Sequence, residues 1–373
     1  MLLTNGTVYD WQFQPKKLHI AVQGKRITQV TAHPLHGEET LDCTGCTIVP
    51  GFVDIHIHGG GGGDLADAST DSLQKMSIYL AQHGVTSFCP ASMTLPEEEL
   101  SAQFRAVEKC KGQEQGAYIQ GIHMEGPYIS MAKKGAQCGE YVRTADFAEF
   151  SRLNAISRIA LVDVAPETQG ALEFAQKASK VCTVSMAHTA ATFAQAQAGL
   201  QNGFSHATHL FNAMSPIQNR EPGAVTAVFD SDTATAELIC DGFHNHPAVL
   251  RMAFRQLGED RAVVVSDSMR AAGCADGEFE LGGQKVYVRD GKARLADGTI
   301  AASTSNLYEE FRNLLSYGVP FRTVLKACAK NPAIVAGVYD KTGSIETGKY
   351  ADLLVLDGDL QIRHVFIRGR QFL

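Results

Sequence analysis

The middle of the chain, residues 51–340, alternates short apolar segments with segments of helical periodicity. The apolar segments predict eight strands, at residues 52–57, 85–90, 118–124, 159–164, 181–187, 205–210, 236–240 and 262–266. The helical patterns predict six helices, at residues 72–83, 96–111, 145–156, 169–179, 193–202 and 247–257. Eight strands that alternate with helices predict an α/β fold with a parallel sheet, and their number and length suit a (β/α)8 TIM-type barrel.

A doubly wound open sheet is the alternative fold. Such a sheet is expected to carry a glycine-rich phosphate loop after its first strand. Five glycines do follow the first predicted strand, at residues 59–63, but they lack the G-x-G-x-x-G spacing into a helix. The barrel is therefore the preferred prediction.

Both ends of the chain read as short strands separated by turns. The pair Asn5-Gly6 separates two strand-like segments near the start, and Asp357-Gly358-Asp359 separates segments 351–356 and 362–367 near the end. Short hairpins are marginally stable alone in water. We therefore expect residues 1–50 and 341–373 to form one small β-sandwich domain, with residues 51–340 as the barrel.

The composition excludes several classes of protein. Of 373 residues, 45% are hydrophobic and 20% charged, which is ordinary for a globular enzyme. The net charge of −7 comes without a long Lys/Arg block, so no nucleic-acid partner is expected. No apolar run approaches the roughly 18 residues of a membrane span, and the N-terminus lacks signal-peptide features. Nine scattered cysteines predict reduced thiols in a cytoplasm.

Two histidines lie at the end of the first predicted strand. His56 and His58 are two residues apart, so on a strand both imidazoles project from the same face. Neutral imidazole is a common metal ligand, so the pair could bind one ion. A three-residue motif also recurs by chance, and two structural histidines without a metal are the alternative.

Other predicted strands end in metal-ligand residue types as well. In barrels of this kind the functional groups lie at the carboxyl ends of the strands. These ends hold His123 and Glu125 on the third strand, His188 on the fifth, His209 on the sixth, Asp241 and His244 on the seventh, and Asp267 on the eighth. Several ligand types at one rim predict a metal site.

The predicted ligand set points to hydrolysis. Nitrogen and carboxylate ligands without thiolate suit Zn²⁺ or Fe²⁺, with Mn²⁺ or Co²⁺ as substitutes. Such an ion lowers the pKa of bound water to about 7, which provides hydroxide as a nucleophile. Attack on an amide also needs a base for the water proton and an acid for the leaving amine. Asp267 is placed to do both, although a capping role in Ser266-Asp267-Ser268 is the alternative.

Longer motifs resemble a known superfamily. Residues 50–59, PGFVDIHIHG, and residues 343–353, GSIETGKYADL, resemble segments of the amidohydrolase superfamily. Within it, the chain is similar to the N-acetylglucosamine-6-phosphate deacetylase family along nearly its whole length. The motifs that carry this resemblance are HMEGPY at 123–128, KGA at 134–136, THLFNAM at 208–214, REPG at 220–223 and DGFH at 241–244.

The resemblance implies an activity and a site. The activity is metal-dependent hydrolysis of N-acetylglucosamine 6-phosphate to glucosamine 6-phosphate and acetate, in amino-sugar catabolism. Glu125, His188 and His209 correspond to the family's metal ligands, and Asp267 to its acid/base and a further metal contact. Some members lack the His-x-His pair and keep one metal. Because His56 and His58 are present here, a second ion is expected, with Glu125 bridging the two.

The resemblance also implies a substrate pocket. The matching positions are Ala136, Gln137, Asn212, Ala213, Arg220, Asp241, Gly242, Phe243, His244, Ile300, Ala301 and Ala302. Arg220 and His244 are the expected phosphate partners, because a guanidinium fork suits phosphate oxygens. Surface ion pairing is their alternative. In the family some phosphate contacts cross a subunit interface, which implies a homodimer.

Four departures from the family pattern affect the expected substrate. Gln137 replaces a usual histidine, Ser266-Asp267-Ser268 replaces Thr-Asp-Ala, Arg270 follows, and Ala302 replaces a glycine. All four are expected on the substrate side. They leave open a related amidohydrolase that acts on another N-acyl sugar phosphate or a cyclic amide. An inactive sugar-phosphate sensor is a third possibility, although no ligand residue is missing from the sequence.

Overall fold

The computed structural model describes residues 1–35, 37 and 39–373, and it has a mixed α/β fold. Parallel strands occupy the middle of the chain. They are β1 (Phe52–Ile57), β2 (Val85–Pro90), β3 (Ile122–Tyr128), β4 (Ile159–Val164), β5 (Thr183–Met186), β6 (Phe204–Ala207), β7 (Thr235–Leu238) and β8 (Ala262–Val264). Eight strands were predicted here, and three of them, β1, β2 and β4, have the predicted bounds.

The parallel strands fall into two hydrogen-bonded sheets. Strand β1 pairs with β2, which also pairs with the short strand Tyr118–Ile119, and β3 to β8 form a six-stranded sheet in chain order. Backbone contacts join the sheets at both seams. Ala91 forms a parallel bridge with His123, and the Asp267 N–H donates to the carbonyl of His56 at 2.9 Å. Residues that follow β8 therefore lie beside β1.

Ten α-helices are present in the described part of the chain. They are α1 (Thr70–Gln82), α2 (Glu97–Cys110), α3 (Phe147–Ile156), α4 (Ala171–Ala178), α5 (Phe193–Gln201), α6 (Gly223–Asp230), α7 (Pro247–Arg261), α8 (Leu307–Ser316), α9 (Phe321–Cys328) and α10 (Lys330–Val335). The sequence predicted α1 to α5 and α7. It did not predict α6, whose run of alanine, valine and phenylalanine also fits a buried strand, nor α8 to α10.

The two faces of β1 have different surroundings. Val53 and Ile55 belong to a buried apolar cluster that includes Ala333 of α10. The intervening Asp54 accepts a hydrogen bond from the Ser266 hydroxyl at 2.6 Å, on the opposite face. Because side chains alternate along a strand, His56 shares the face of Asp54 and points away from the helix.

Strands from both chain ends pair with each other. Leu353–Leu356 lies antiparallel to Thr47–Pro50. The terminal strands form a four-stranded and a six-stranded sheet, from Leu2–Thr4, Thr7–Tyr9, Pro15–Lys17, His19–Gln23, Arg26–Thr31, Thr40–Asp42, Thr47–Pro50, Leu353–Leu356, Ile362–Ile367 and Arg370–Gln371. Leu3, Ile48 and Phe366 belong to one buried cluster. The division into two domains remains a prediction.

An antiparallel sheet lies between β8 and α8. It consists of Gly277–Leu281, Gln284–Arg289 and Lys292–Arg294, which we call the hairpin insert. The sequence did not predict it. Its first turn is anchored to the site by Gln284, whose amide donates to the carbonyl of Ala136.

Two further observations concern thiols and membranes. All nine cysteines lie in the described part of the chain, and each has a free thiol. Among the described helices, none combines the length and apolarity needed to cross a membrane.

Candidate metal centre

Two triads of ligand-type side chains lie at the carboxyl ends of the parallel strands. We call them the strand triad and the turn triad. Within each triad the three ligand atoms lie within 4.8 Å of one another, and all the side chains are buried. The strand triad is His56, His58 and Asp267, and the turn triad is Glu125, His188 and His209.

The strand triad brings β1 and the end of β8 together. The Asp267 Oδ1 atom lies 3.3 Å from His58 Nε2 and 3.6 Å from His56 Nε2. Asp267 has a left-handed backbone, with φ of 46°. Its N–H donates to His56 and its carbonyl accepts from the N–H of Ser303 at 2.7 Å, so backbone hydrogen bonds on both sides hold this conformation.

The turn triad combines Glu125, which lies within β3, with two histidines that follow the ends of β5 and β6. Glu125 Oε1 lies 3.0 Å from His188 Nε2 and 3.2 Å from His209 Nε2. His188 and His209 have φ values of 43° and 32°, in the left-handed region that side chains other than glycine rarely adopt. Such strained positions cluster at functional sites, where neighbouring structure maintains them.

The Glu125 carboxylate also contacts the strand triad. Its Oε1 faces the turn triad, while its Oε2 lies 3.3 Å from His58 Nε2. The same Oε2 accepts a 2.6 Å hydrogen bond from the amide of Gln137. One carboxylate thus places Oε1 against the turn triad and Oε2 against the strand triad, with His56 Nε2 farther away, at 3.8 Å from Oε1.

All four histidines present the same nitrogen to the triads. Each Nδ1 contacts an oxygen that can only accept: the Glu237 carboxylate for His56, and the carbonyls of Ala91 for His58, Lys133 for His188 and Asn212 for His209. In the neutral imidazole Nδ1 then carries the proton and Nε2 keeps a lone pair. His56 Nε2 is buried and has no hydrogen-bond partner among the described residues. These donors fit a divalent cation.

Charges in the cluster shift the pKa values of its members. Burial alone would lower the pKa of His58 and His209, but Asp267 and Glu125 raise it to about 9 in each. Burial alone would raise the pKa of Glu125, but hydrogen bonds from His188 and His209 hold it well below its usual range. The ion-free cluster therefore holds protons that a bound cation would replace.

A cavity of about 370 Å³ opens onto both triads. Its lining includes seven of the predicted substrate-binding positions: Ala136, Gln137, Asn212, Ala213, His244, Ile300 and Ala302. It also includes Asp267 and Glu125. A volume of this size suits a small ligand.

Five other predicted positions lie outside this lining. Asp241 accepts from His244 Nδ1 at 2.7 Å and so orients that ring. Gly242 and Phe243 belong to the same loop, and Ala301 is buried, with its N–H bonded to the carbonyl of Ala293. Arg220 lies on an exposed loop.

Comparisons with known proteins agree with this geometry. The sequence model of the amidohydrolase family matches residues 47–372. The chain belongs to the amidohydrolase family. N-acetylglucosamine-6-phosphate deacetylase of Bacillus subtilis is 35% identical to this amidohydrolase over 356 residues, which cover 93% of this chain and 90% of that protein. N-acetylgalactosamine-6-phosphate deacetylase of Escherichia coli O157:H7 is 33% identical over 328 residues, 87% of each.

Solved structures of similar proteins share the fold of this amidohydrolase. A mutant N-acetyl-D-glucosamine-6-phosphate deacetylase from Mycobacterium smegmatis, solved in complex with N-acetyl-D-glucosamine-6-phosphate, superposes with a TM-score of 0.93. It is 32% identical, and the match covers 100% of this chain and 98% of that one. N-acetylglucosamine-6-phosphate deacetylase from Pasteurella multocida also superposes with a TM-score of 0.93. It is 30% identical, and the match covers 99% of this chain and 98% of that one.

The four departures from the family pattern do not all face the cavity. Gln137 and Ala302 line it. The Ser266 hydroxyl donates to Asp54, and the Ser268 hydroxyl donates to the carbonyl of Gly59 at 2.9 Å. Both hydroxyls therefore make buried hydrogen bonds and do not face the cavity. Arg270 lies outside the lining and pairs with Asp67 at 3.0 Å. The expectation that all four lie on the substrate side is wrong for the serines and for Arg270.

The structure also adds residues that the sequence did not single out. Met93, Leu281 and Thr299 line the cavity, and Glu237 lies beneath the triads. Glu237 could have been found from the sequence, because it is a carboxylate inside an otherwise apolar strand segment. Leu281 could not, because its position depends on how the hairpin insert folds back.

Proposed function

We propose that this amidohydrolase is a metal-dependent deacetylase that hydrolyses N-acetylglucosamine 6-phosphate to glucosamine 6-phosphate and acetate, in amino-sugar catabolism. The observation that carries the proposal is the pair of buried triads at the floor of a cavity that Asp267 also lines. Similarity to deacetylases of the same substrate over about nine-tenths of the chain supports it.

The proposed cofactor is Zn²⁺ or Fe²⁺, with Mn²⁺ or Co²⁺ as substitutes, and two ions per chain. Imidazole and carboxylate donors without thiolate suit these ions. Glu125 would bridge them, since its two oxygens face different triads. When bound, a divalent ion polarises the amide carbonyl and lowers the pKa of a water molecule.

Asp267 is the proposed acid/base. Burial alone would raise its pKa, but His56 and His58 lower it, so the carboxylate is ionised at neutral pH and can accept a proton. In the reaction it takes a proton from the attacking water as the C–O bond forms. It then gives that proton to the amine as the C–N bond breaks, which releases acetate and the amino sugar.

The sugar phosphate is proposed to be held by residues from two subunits. His244 lines the cavity, and the Asp241 carboxylate orients its ring. Arg220 lies outside the cavity of its own chain, on an exposed loop. We propose a homodimer in which Arg220 reaches the phosphate in the partner's cavity, where a guanidinium fork suits phosphate oxygens.

The fold proposed for this activity is a closed (β/α)8 barrel at residues 51–340, with a small β-sandwich from residues 1–50 and 341–373. The bridge from Ala91 to His123 and the hydrogen bond from Asp267 to His56 support closure at both seams between the sheets. A reducing cytoplasm is the proposed location, and nine free thiols support it.

Acetate release tests the activity. Purified protein loaded with Zn²⁺ or Fe²⁺ is expected to release acetate from N-acetylglucosamine 6-phosphate, and a chelator is expected to stop the reaction. Absence of acetate with every one of the four proposed ions would overturn the proposal.

A second candidate substrate is N-acetylgalactosamine 6-phosphate. A deacetylase of that sugar is nearly as similar to this chain as the Bacillus enzyme, at 33% against 35% identity. Gln137 and Ala302, which depart from the pattern of the first family, both line the cavity. The values of kcat/KM on the glucosamine, galactosamine and mannosamine substrates decide between them.

A further inference from the structure

One buried carboxylate on β7 contacts both triads from below. The Glu237 side chain is fully buried. Its Oε2 accepts from His56 Nδ1 at 2.8 Å and from the backbone N–H of His209 at 3.3 Å. Its Oε1 lies 3.3 Å from Nε2 of His206, a buried histidine outside both triads. Glu237 thus holds one ligand of the strand triad by its ring and one ligand of the turn triad by its backbone.

We propose that Glu237 is a positioning residue for metal binding, which selectively strengthens the ion held by the strand triad. The inference rests on the two-ion site of the proposed function. A carboxylate at Nδ1 fixes the imidazole tautomer, orients the ring and makes Nε2 a stronger ligand. His56 Nε2 is the atom that is buried without a partner among the described residues, so it is the atom that an ion would complete.

The support that Glu237 gives is unequal between the triads. Of the four histidine ligands, His56 has a full negative charge at Nδ1, whereas His58, His188 and His209 each have a neutral carbonyl there. The hydrogen bond to His209 reaches its backbone rather than its ring. Removal of the charge on Glu237 therefore weakens His56 as a ligand and leaves the ring contacts of the turn triad in place.

The same core offers a matched control. His123 and Asp163 form a second buried histidine–carboxylate pair, with Nε2 to Oδ1 at 3.0 Å. The other nitrogen of His123 contacts the carbonyl of Ile55, so its ring is engaged on both sides. His123 belongs to neither triad, and the Asp163 carboxylate makes no hydrogen bond to a triad side chain among the described residues. Asp163→Asn thus removes a comparable buried charge whose histidine partner is a ligand of neither triad.

The experiment measures the metal content of three proteins after dialysis against graded concentrations of a chelator. Wild type and Asp163→Asn are expected to keep two Zn²⁺ ions per chain to the same chelator concentration. Glu237→Gln keeps a similar shape and an acceptor oxygen but loses the charge. It is expected to keep one ion and to bind the other about 10- to 100-fold more weakly. Excess Zn²⁺ is expected to restore the second ion.

Three results would overturn the inference. One is a Glu237→Gln protein that holds both ions as tightly as wild type. Another is an equal loss of both ions in Glu237→Gln and Asp163→Asn, which would indicate damage to the core. The third is a wild-type protein with a single ion. Acetate release by that single-ion protein would leave the deacetylase activity standing, so the two failures are distinguishable.

Discussion

The histidine pairs of the two triads lie side by side but have different backbone conformations. His56 lies on the extended strand β1 and His58 one residue beyond its end, so the two-residue period of a strand sets their direction. His188 and His209 follow their strands in left-handed turns, so nothing periodic sets their direction. The comparison teaches that neighbouring ligands can differ in how easily they are predicted from a sequence. The spacing of a histidine pair on a strand predicts that both side chains point the same way, whereas ligands in turns are predicted only from the fold or from a family motif.

The largest expected effect comes from the carboxylate shared by the triads. Glu125→Gln is expected to lose ions from both triads, because the amide nitrogen that replaces one oxygen has no lone pair for a cation. We expect kcat/KM to fall by about 10³-fold or more, which is about 4 kcal/mol in the barrier. Metal analysis and acetate release measure the two effects. Glu98→Gln, on an exposed part of α2, is the control. Loss of one ion alone would argue against a bridge.

Asp267→Asn separates proton transfer from metal binding. We expect kcat to fall by about 10²- to 10⁴-fold, since the acid/base is lost. The metal content is expected to stay at the wild-type value, because five ligands and the amide oxygen of the variant remain. If the ions left together with the activity, Asp267 would be an essential ligand rather than the acid/base.

His58→Ala tests whether the strand triad is the dispensable one. We expect the variant to keep the ion of the turn triad, lose the other, and retain activity lowered by about tenfold, equivalent to about 1.4 kcal/mol in the barrier. His188→Ala is the matched change in the turn triad, and it is expected to abolish measurable turnover. Equal losses in the two variants would remove the functional distinction between the triads.

The smallest expected effect is the pH dependence of metal uptake. In the ion-free protein the pKa values of His58 and His209 are raised to about 9, because Asp267 and Glu125 outweigh burial. Both imidazoles are therefore protonated at about pH 7, and a cation must displace their protons. Calorimetry in two buffers of different ionisation enthalpy should show proton release at about pH 7 and less above about pH 9. Uptake that is independent of pH would contradict these shifts.

The strand pattern and the ligand residues could be predicted from the sequence. Apolar runs marked the positions of the eight parallel strands, and the residues at their ends include both triads. The contacts of Gln137 could not be predicted, because they depend on the path of a loop. The resemblance placed Gln137 on the substrate side, and in the structure its side-chain amide lies between the N–H of Thr94 and the carboxylate of Glu125.

The hairpin insert was missed for a different reason. Its first strand has Glu278 and Glu280 on one face and is mostly exposed, so no apolar pattern marks it as a strand. Its second strand does alternate, with Val286 and Val288 buried, so that signal was present in the sequence and was missed. Glu237 was visible as a carboxylate in a strand, but its partner His56 lies 181 residues away, and that distance closes only in the folded chain.

The hairpin insert makes the site modular. It contributes Leu281 to the cavity wall and is tied to the loop of Ala136 by Gln284, yet it supplies no member of either triad. Part of the cavity wall thus comes from a stretch of chain that holds no metal-ligand residue. Exchange of residues 277–294 between relatives would change that wall and leave both triads intact.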